Sequence, residues 1–157
     1  MRCVSWLTPD RAHPMSGSNC ICVVTALLET GRVKMVEPET LVRLDTAAGL
    51  ITARARCSGG RCLSVSLDNV PAFVLELDAP VRTPKWGTIR ADIAFGGVFY
   101  ALVDVGQIGL AIATENARAL AEAGIEIKAL LKEQVKVAHP EIAGLDEIAY
   151  VMFRDRD

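Results

Sequence analysis

Residues 15–31, MSGSNCICVVTALLETG, constrain this chain more than any other stretch. From Cys20 to Leu28 the run is apolar except for Thr25, and Gly31 is a natural helix stop. A helix is therefore predicted from about Ser18 to Thr30. Its apolar residues Cys20, Ile21, Cys22, Val23, Val24, Ala26, Leu27 and Leu28 leave no polar side. A helix that is apolar all round is expected to be buried all round. The remaining chain must then supply the layers that cover it.

The residues beyond Gly31 are suited to that task. Short strand-like runs occur at 33–36, 40–45, 50–57, 62–67, 72–77, 88–95 and 99–103. Pro38, Ala48-Gly49, Ser58-Gly59-Gly60, Asn69 with Pro71, Pro80, Pro84 and Gly96-Gly97 punctuate them. Close spacing and tight turns predict an antiparallel meander. A second helix is predicted from about Glu115 to Lys136, with Thr114 as its cap and Gly124 as a break or kink. Residues 148–153 read as a last strand. The fold class is α+β: a curled antiparallel sheet wrapped around a central buried helix, with an amphipathic helix outside.

The 157 residues suit one domain with a sizeable core. Apolar residues make up 51% of the chain and mean hydropathy is +0.30, which points to extensive burial or a partner surface. Net charge is −2 with scattered Lys and Arg, so neither nucleic-acid binding nor a basic membrane face is indicated. No apolar run is long enough to span a membrane, and the first residues lack the apolar segment of a secretory signal. The five cysteines are irregularly spaced, without a C-x-x-C, and there are two histidines. A metal site or disulfide framework is not expected, and a reducing cytoplasm fits best. Cys57 and Cys62 flank a hairpin turn and are expected to be reduced neighbours, whereas Cys20 and Cys22 read as core.

Ser16, Gly17, Ser18 and Asn19 exceed what a helix cap requires. A plain cap is the simplest reading. The alternative starts from the free N–H groups and positive dipole end of a helix, which receive a carboxylate or phosphate. Gly17 lets backbone approach such a guest, and the Ser16 and Ser18 hydroxyls can donate or accept.

These residues resemble the first active-site motif of the proline racemase family, usually Met-Cys-Gly-His followed by a small residue. AFGGVFYALVD at 94–104 is similar to the family's Phe-Gly-Gly-x-Phe-Tyr-Ala turn. Glu37-Pro38, Leu44-Asp45-Thr46-Ala47-Ala48-Gly49, Asn69-Val70-Pro71-Ala72-Phe73 and His139-Pro140-Glu141 fall in the family's order. The resemblance implies a diaminopimelate epimerase-like lobe. It also implies chemistry at the Cα–H of proline or hydroxyproline, without cofactor or metal, by 4-hydroxyproline epimerisation or trans-3-hydroxy-L-proline dehydration. By that resemblance Ser16 stands at the first catalytic Cys, and Gly17 and Ser18 offer N–H groups to the substrate carboxylate. His139 matches a substrate-contacting His. Phe99 and Tyr100 help to shape the pocket.

Two departures qualify the assignment. Ser16 replaces a Cys, and a hydroxyl is a poor base unless a neighbour takes its proton. The family's second motif, Asp-Arg-Ser-Pro-Cys-Gly-Thr-Gly-Thr, does not occur in the sequence. Residues 1–14 then read as a leader outside the resemblance, and 15–157 as a first lobe plus the start of a second. The expectation is an interior piece of about half a family member, with a homodimer or a complementing second-half chain as partner. A non-catalytic fragment and a carboxylate-binding module are the alternatives.

Overall fold

The structure, a computed structural model, describes residues 2–3, 6–7 and 12–155. Half of the leader expected to be irregular, 1–14, falls outside the described residues. Where described, it forms the short strands β1 (Arg2–Cys3), β2 (Trp6–Leu7) and β3 (Ala12–His13). The chain divides into two compact units, Met1–Pro71 and Ala72–Asp157.

In the first unit, α1 (Gly17–Glu29) is followed by β4 (Glu39–Thr46), β5 (Gly49–Ser58) and β6 (Arg61–Asp68). The sheet order is β1-β4-β5-β6. β1 lies parallel to β4, and the other pairs are antiparallel. Alternation decides the buried face: Val42 and Leu44 of β4 and Ile51, Ala53, Ala55 and Cys57 of β5 point inward. Gly59 and Gly60 both have positive φ, at 60° and 73°, as the two-residue β5–β6 hairpin requires. α1 runs antiparallel to β6. Gly17 approaches Leu67 at one end, and Thr25 and Glu29 reach Cys62 at the other.

The expectation that α1 is buried all round is not met. Cys20, Val24 and Leu28, spaced four apart, form a single buried stripe, while Ile21 is 39% exposed and Cys22 is exposed. A helix laid on one face of an open sheet is covered on one side only. The predicted strand at 33–36 is also absent. Thr40 Oγ1 accepts from the Val36 N–H and donates to the Val36 carbonyl, both at 2.8 Å, so a side chain satisfies the groups a strand partner would take.

The second unit contains β7 (Phe73–Thr83), β8 (Gly87–Phe95), β9 (Phe99–Asp104), α2 (Ala117–Gln134) and β10 (Ile148–Arg154). Its sheet order is β10-β9-β8-β7. β7, β8 and β9 form the predicted meander, but β10 lies parallel to β9. The helix between them makes a crossover, and a crossover returns a strand parallel rather than antiparallel. β7 runs on past Pro80, because an edge strand needs no N–H on its outer side. Residues 74–79 bulge, with Asp78 at φ 54°. Gln134 closes part of the open edge. Its amide accepts from the Arg82 N–H and donates to the Arg82 carbonyl, each at 2.9 Å.

α2 buries Ala123, Ile127 and Leu131 and does not break at Gly124. A Cβ there would sit 3.6 Å from the Phe153 ring, an ordinary contact distance, so crowding does not dictate the glycine. Among the described residues no helix is long and apolar enough to cross a membrane.

Candidate active site

Ser16 precedes α1 with extended backbone, φ −147° and ψ 109°. Its carbonyl accepts the Cys20 N–H at 2.9 Å, the first helical bond. Its side chain makes no cap hydrogen bond, and no acidic residue lies in the first turn. Ser16 therefore holds the N-cap position without spending its hydroxyl there, and no carboxylate of that turn neutralises the helix end. Ser16 and Gly17 are half-buried, and Ser18 and Asn19 are exposed.

Gly17 is not dictated by crowding. A Cβ there would meet Leu67 Cδ1 at 3.9 Å and Met15 Cε at 4.0 Å, ordinary contact distances. Its missing side chain leaves the backbone N–H groups of the first turn approachable.

His139 lies in the second unit, on the irregular segment between α2 and β10. Its N–H donates to the Leu145 carbonyl at 2.8 Å, and its Nδ1 accepts from the N–H groups of both Glu141 and Ile142 at 3.1 Å. With Nδ1 committed as an acceptor, the neutral ring carries its proton on Nε2. The imidazole stands edge-on to Phe95 at 4.7 Å and to Phe73 at 5.4 Å between centroids. A ring held from its backbone, from Nδ1 and from both walls presents a fixed Nε2–H.

Those walls are one cross-strand row. Phe73 pairs with Phe95 and Phe95 with Phe99 across β7, β8 and β9, and Phe99 is buried. Reading the sequence alone picked out Phe99 but not the parts played by Phe73 and Phe95. The Gly96-Gly97 turn was a legible cue for Phe95 opposite Phe99. The β7 bulge hides the pairing of Phe73. Tyr100, next along β9, has its ring tilted against that of Tyr150, 5.5 Å between centroids. Burial raises its hydroxyl pKa, and the neighbouring Tyr150 raises it further.

Ser16, Gly17 and Ser18 thus form one locus in the first unit, and His139 belongs to the second. Among the described residues, no group of three or more His, Cys, Asp or Glu is placed to hold a metal ion.

A family model described as proline racemase matches residues 3–157, starting ahead of the motif at residue 15. A 4-hydroxyproline 2-epimerase of Rhizobium etli is 58% identical over 151 residues, covering 96% of this chain and 44% of the relative. Two crystal structures align with TM-scores of 0.93 and 0.92. The first is a probable proline racemase from Agrobacterium radiobacter K84 with bound carbonate, 57% identical over 99% of this chain and 46% of that one. The second is a hydroxyproline epimerase from Agrobacterium vitis with bound trans-4-hydroxy-L-proline, 56% identical over 99% of this chain and 45% of that one. The chain spans less than half the length of the relatives it matches.

Proposed function

The chain belongs to the proline racemase family, and from that premise we propose that it supplies one side of an active site for epimerising 4-hydroxyproline at Cα. The observation that carries the proposal is the Ser16 hydroxyl, which stands at the start of α1 without a cap bond. Carbonate and an imino-acid carboxylate, the ligands of the two crystallised relatives, are both anions that a helix N-terminus favours.

In this reading the substrate carboxylate takes N–H groups at Gly17 and Ser18. Charge developing on the Cα side is then met by fixed donors. Ser16 delivers or relays a proton on one face of Cα, and His139 Nε2–H donates a hydrogen bond to the substrate. Inversion needs a base on the opposite face. The sequence holds no copy of the family's second motif, so a complementing segment has to bring that base. No cofactor enters the scheme. Dehydration of trans-3-hydroxy-L-proline is the second reading. The Ser at position 16 favours it, because loss of a 3-hydroxyl needs only one strong base.

The test is α-proton exchange in D2O, followed by NMR, with the chain alone and co-expressed with the second half of an epimerase relative. Exchange of 4-hydroxyproline by the complemented protein, and none by the chain alone, is expected. Dehydration of the 3-hydroxy isomer instead selects the second reading. If the complemented protein exchanges no proline derivative yet calorimetry detects binding, the chain is a carboxylate-binding module. No binding either would leave a non-catalytic fragment.

A further inference from the structure

The β5–β6 hairpin carries a feature that this activity does not use. Cys57 and Cys62 are directly opposite one another, one position in from the Gly59-Gly60 turn. Antiparallel pairs alternate between hydrogen-bonded and non-hydrogen-bonded, and side chains come closest in the latter. Two bonds show which kind this is. The Cys57 N–H donates to the Pro38 carbonyl at 2.8 Å, and the Cys62 N–H donates to Glu29 Oε1 at 2.7 Å. Neither N–H is spent on the partner strand, as a non-hydrogen-bonded pair requires. Such pairs have Cα atoms about 4.5 Å apart, within the span a disulfide bridges.

The surroundings separate the roles of the two sulfurs. Both thiols are free. Cys57 is 2% exposed, its Sγ 3.7 Å from Thr40 Oγ1 and 3.5 Å from the Ala55 carbonyl. Cys62 is half-buried, its Sγ 4.0 Å from Thr25 Oγ1 and 3.9 Å from the Ser64 carbonyl. Reagents therefore meet Cys62 first. Leu63 bulges out of the ladder beside it, so Cys62 has local backbone slack for a small adjustment. Glu37 Oε1 accepts the Gly60 N–H at 2.7 Å, so Glu37 and Glu29 each hold one backbone N–H of the hairpin.

We propose that Cys57 and Cys62 form a reversible thiol–disulfide exchange site for small disulfides, with Cys62 the attacking and Cys57 the resolving sulfur. The Cys62 thiolate attacks one sulfur of the reagent. A Cys62–reagent S–S bond forms, the reagent's own S–S bond breaks, and one reagent thiolate leaves. The Cys57 thiol gives its proton to solvent and attacks Cys62 Sγ. The protein disulfide forms and the second reagent thiolate leaves. The two cysteines are oxidised and one reagent disulfide is reduced to two thiols.

Native chain treated with dipyridyl disulfide, then digested with trypsin without reduction, tests this. Peptides 57–61 and 62–82 are expected to be joined by a disulfide and to separate on adding reductant. Cys57→Ser is expected to trap the pyridyl group on Cys62, because nothing resolves it. A stable Cys62–pyridyl adduct in the unsubstituted chain overturns the proposal. So does linkage of either peptide to another cysteine, and so does a pair that reacts only after denaturation. The readout is independent of the Cα chemistry, so failure of one assignment leaves the other standing.

Discussion

The start of α1 and the turn that carries His139 are built in opposite ways. At Ser16–Ser18 the polar groups are left uncommitted: no cap bond is made, no acid occupies the first turn, and no neighbour crowds Gly17. At His139 nearly everything is committed. Its backbone N–H and its Nδ1 have partners and its ring stands against the Phe73 and Phe95 pair, which leaves Nε2–H. One locus is an opening that, under the proposed function, a ligand completes. The other is a donor fixed before any ligand arrives. Preorganised donors cost nothing to orient at the moment of reaction, whereas an open helix end supplies room and field.

The sharpest way to break this contrast is Ser16→Ala in the complemented enzyme. Turnover is expected to fall by about 10²–10⁴-fold, the range for loss of a positioned acid–base group. Thermal stability should hold to within a few tenths of a kcal/mol, since no cap bond is lost. A stability loss of about 1 kcal/mol with turnover retained would make Ser16 an ordinary cap.

His139→Ala should do the reverse. Two N–H groups, one exposed and one partly buried, lose their acceptor, and the unit should lose about 0.5–1.5 kcal/mol by chemical denaturation. His139→Asn offers an amide oxygen to those donors. It should recover part of the stability but not the substrate affinity. If it recovers both, His139 is structural.

Gly17→Ala separates room from fold. Stability should be unchanged or higher by about 0.5–1 kcal/mol, because alanine suits a helix better than glycine. KM should rise by about tenfold or more, equivalent to about 1.4 kcal/mol of lost binding. An unchanged KM would mean that the substrate does not approach this backbone.

The smallest expected effect lies at the other end of α1. Partial burial raises the pKa of the Cys62 thiol. A hydrogen bond from Thr25 works against it, and the facing Cys57 and the Glu29 carboxylate add to the rise. A raised pKa means less thiolate at neutral pH, so iodoacetamide should label Cys62 more slowly than a free cysteine. Below that pKa the rate should climb about tenfold per pH unit. Glu29→Gln removes one of the raising charges and should speed labelling at neutral pH by a few-fold.

Much of this architecture was legible in the sequence because it rests on short-range physics. Alternating residues gave β4, β5, β8 and β9 to within a residue or two, and glycine pairs marked two of the hairpin turns. The apolar run gave α1 and its polar start. The motif beginning at Met15 pointed to Ser16, Gly17 and Ser18, and His139-Pro140-Glu141 pointed to His139, through the resemblance of the chain to its family. Local pattern did not reveal what depends on partners distant in the chain. Whether an apolar helix is covered on one side or all round depends on how many layers meet it, and here one sheet face does. Whether β10 runs parallel or antiparallel depends on the crossover through α2. The row Phe73–Phe95–Phe99 depends on a bulge that shifts register by amounts no periodicity encodes. Residue order determined which groups were available for chemistry. Tertiary structure decided which were spent on holding the fold and which were left free, because a hydrogen bond or a buried face is settled only when its partner arrives.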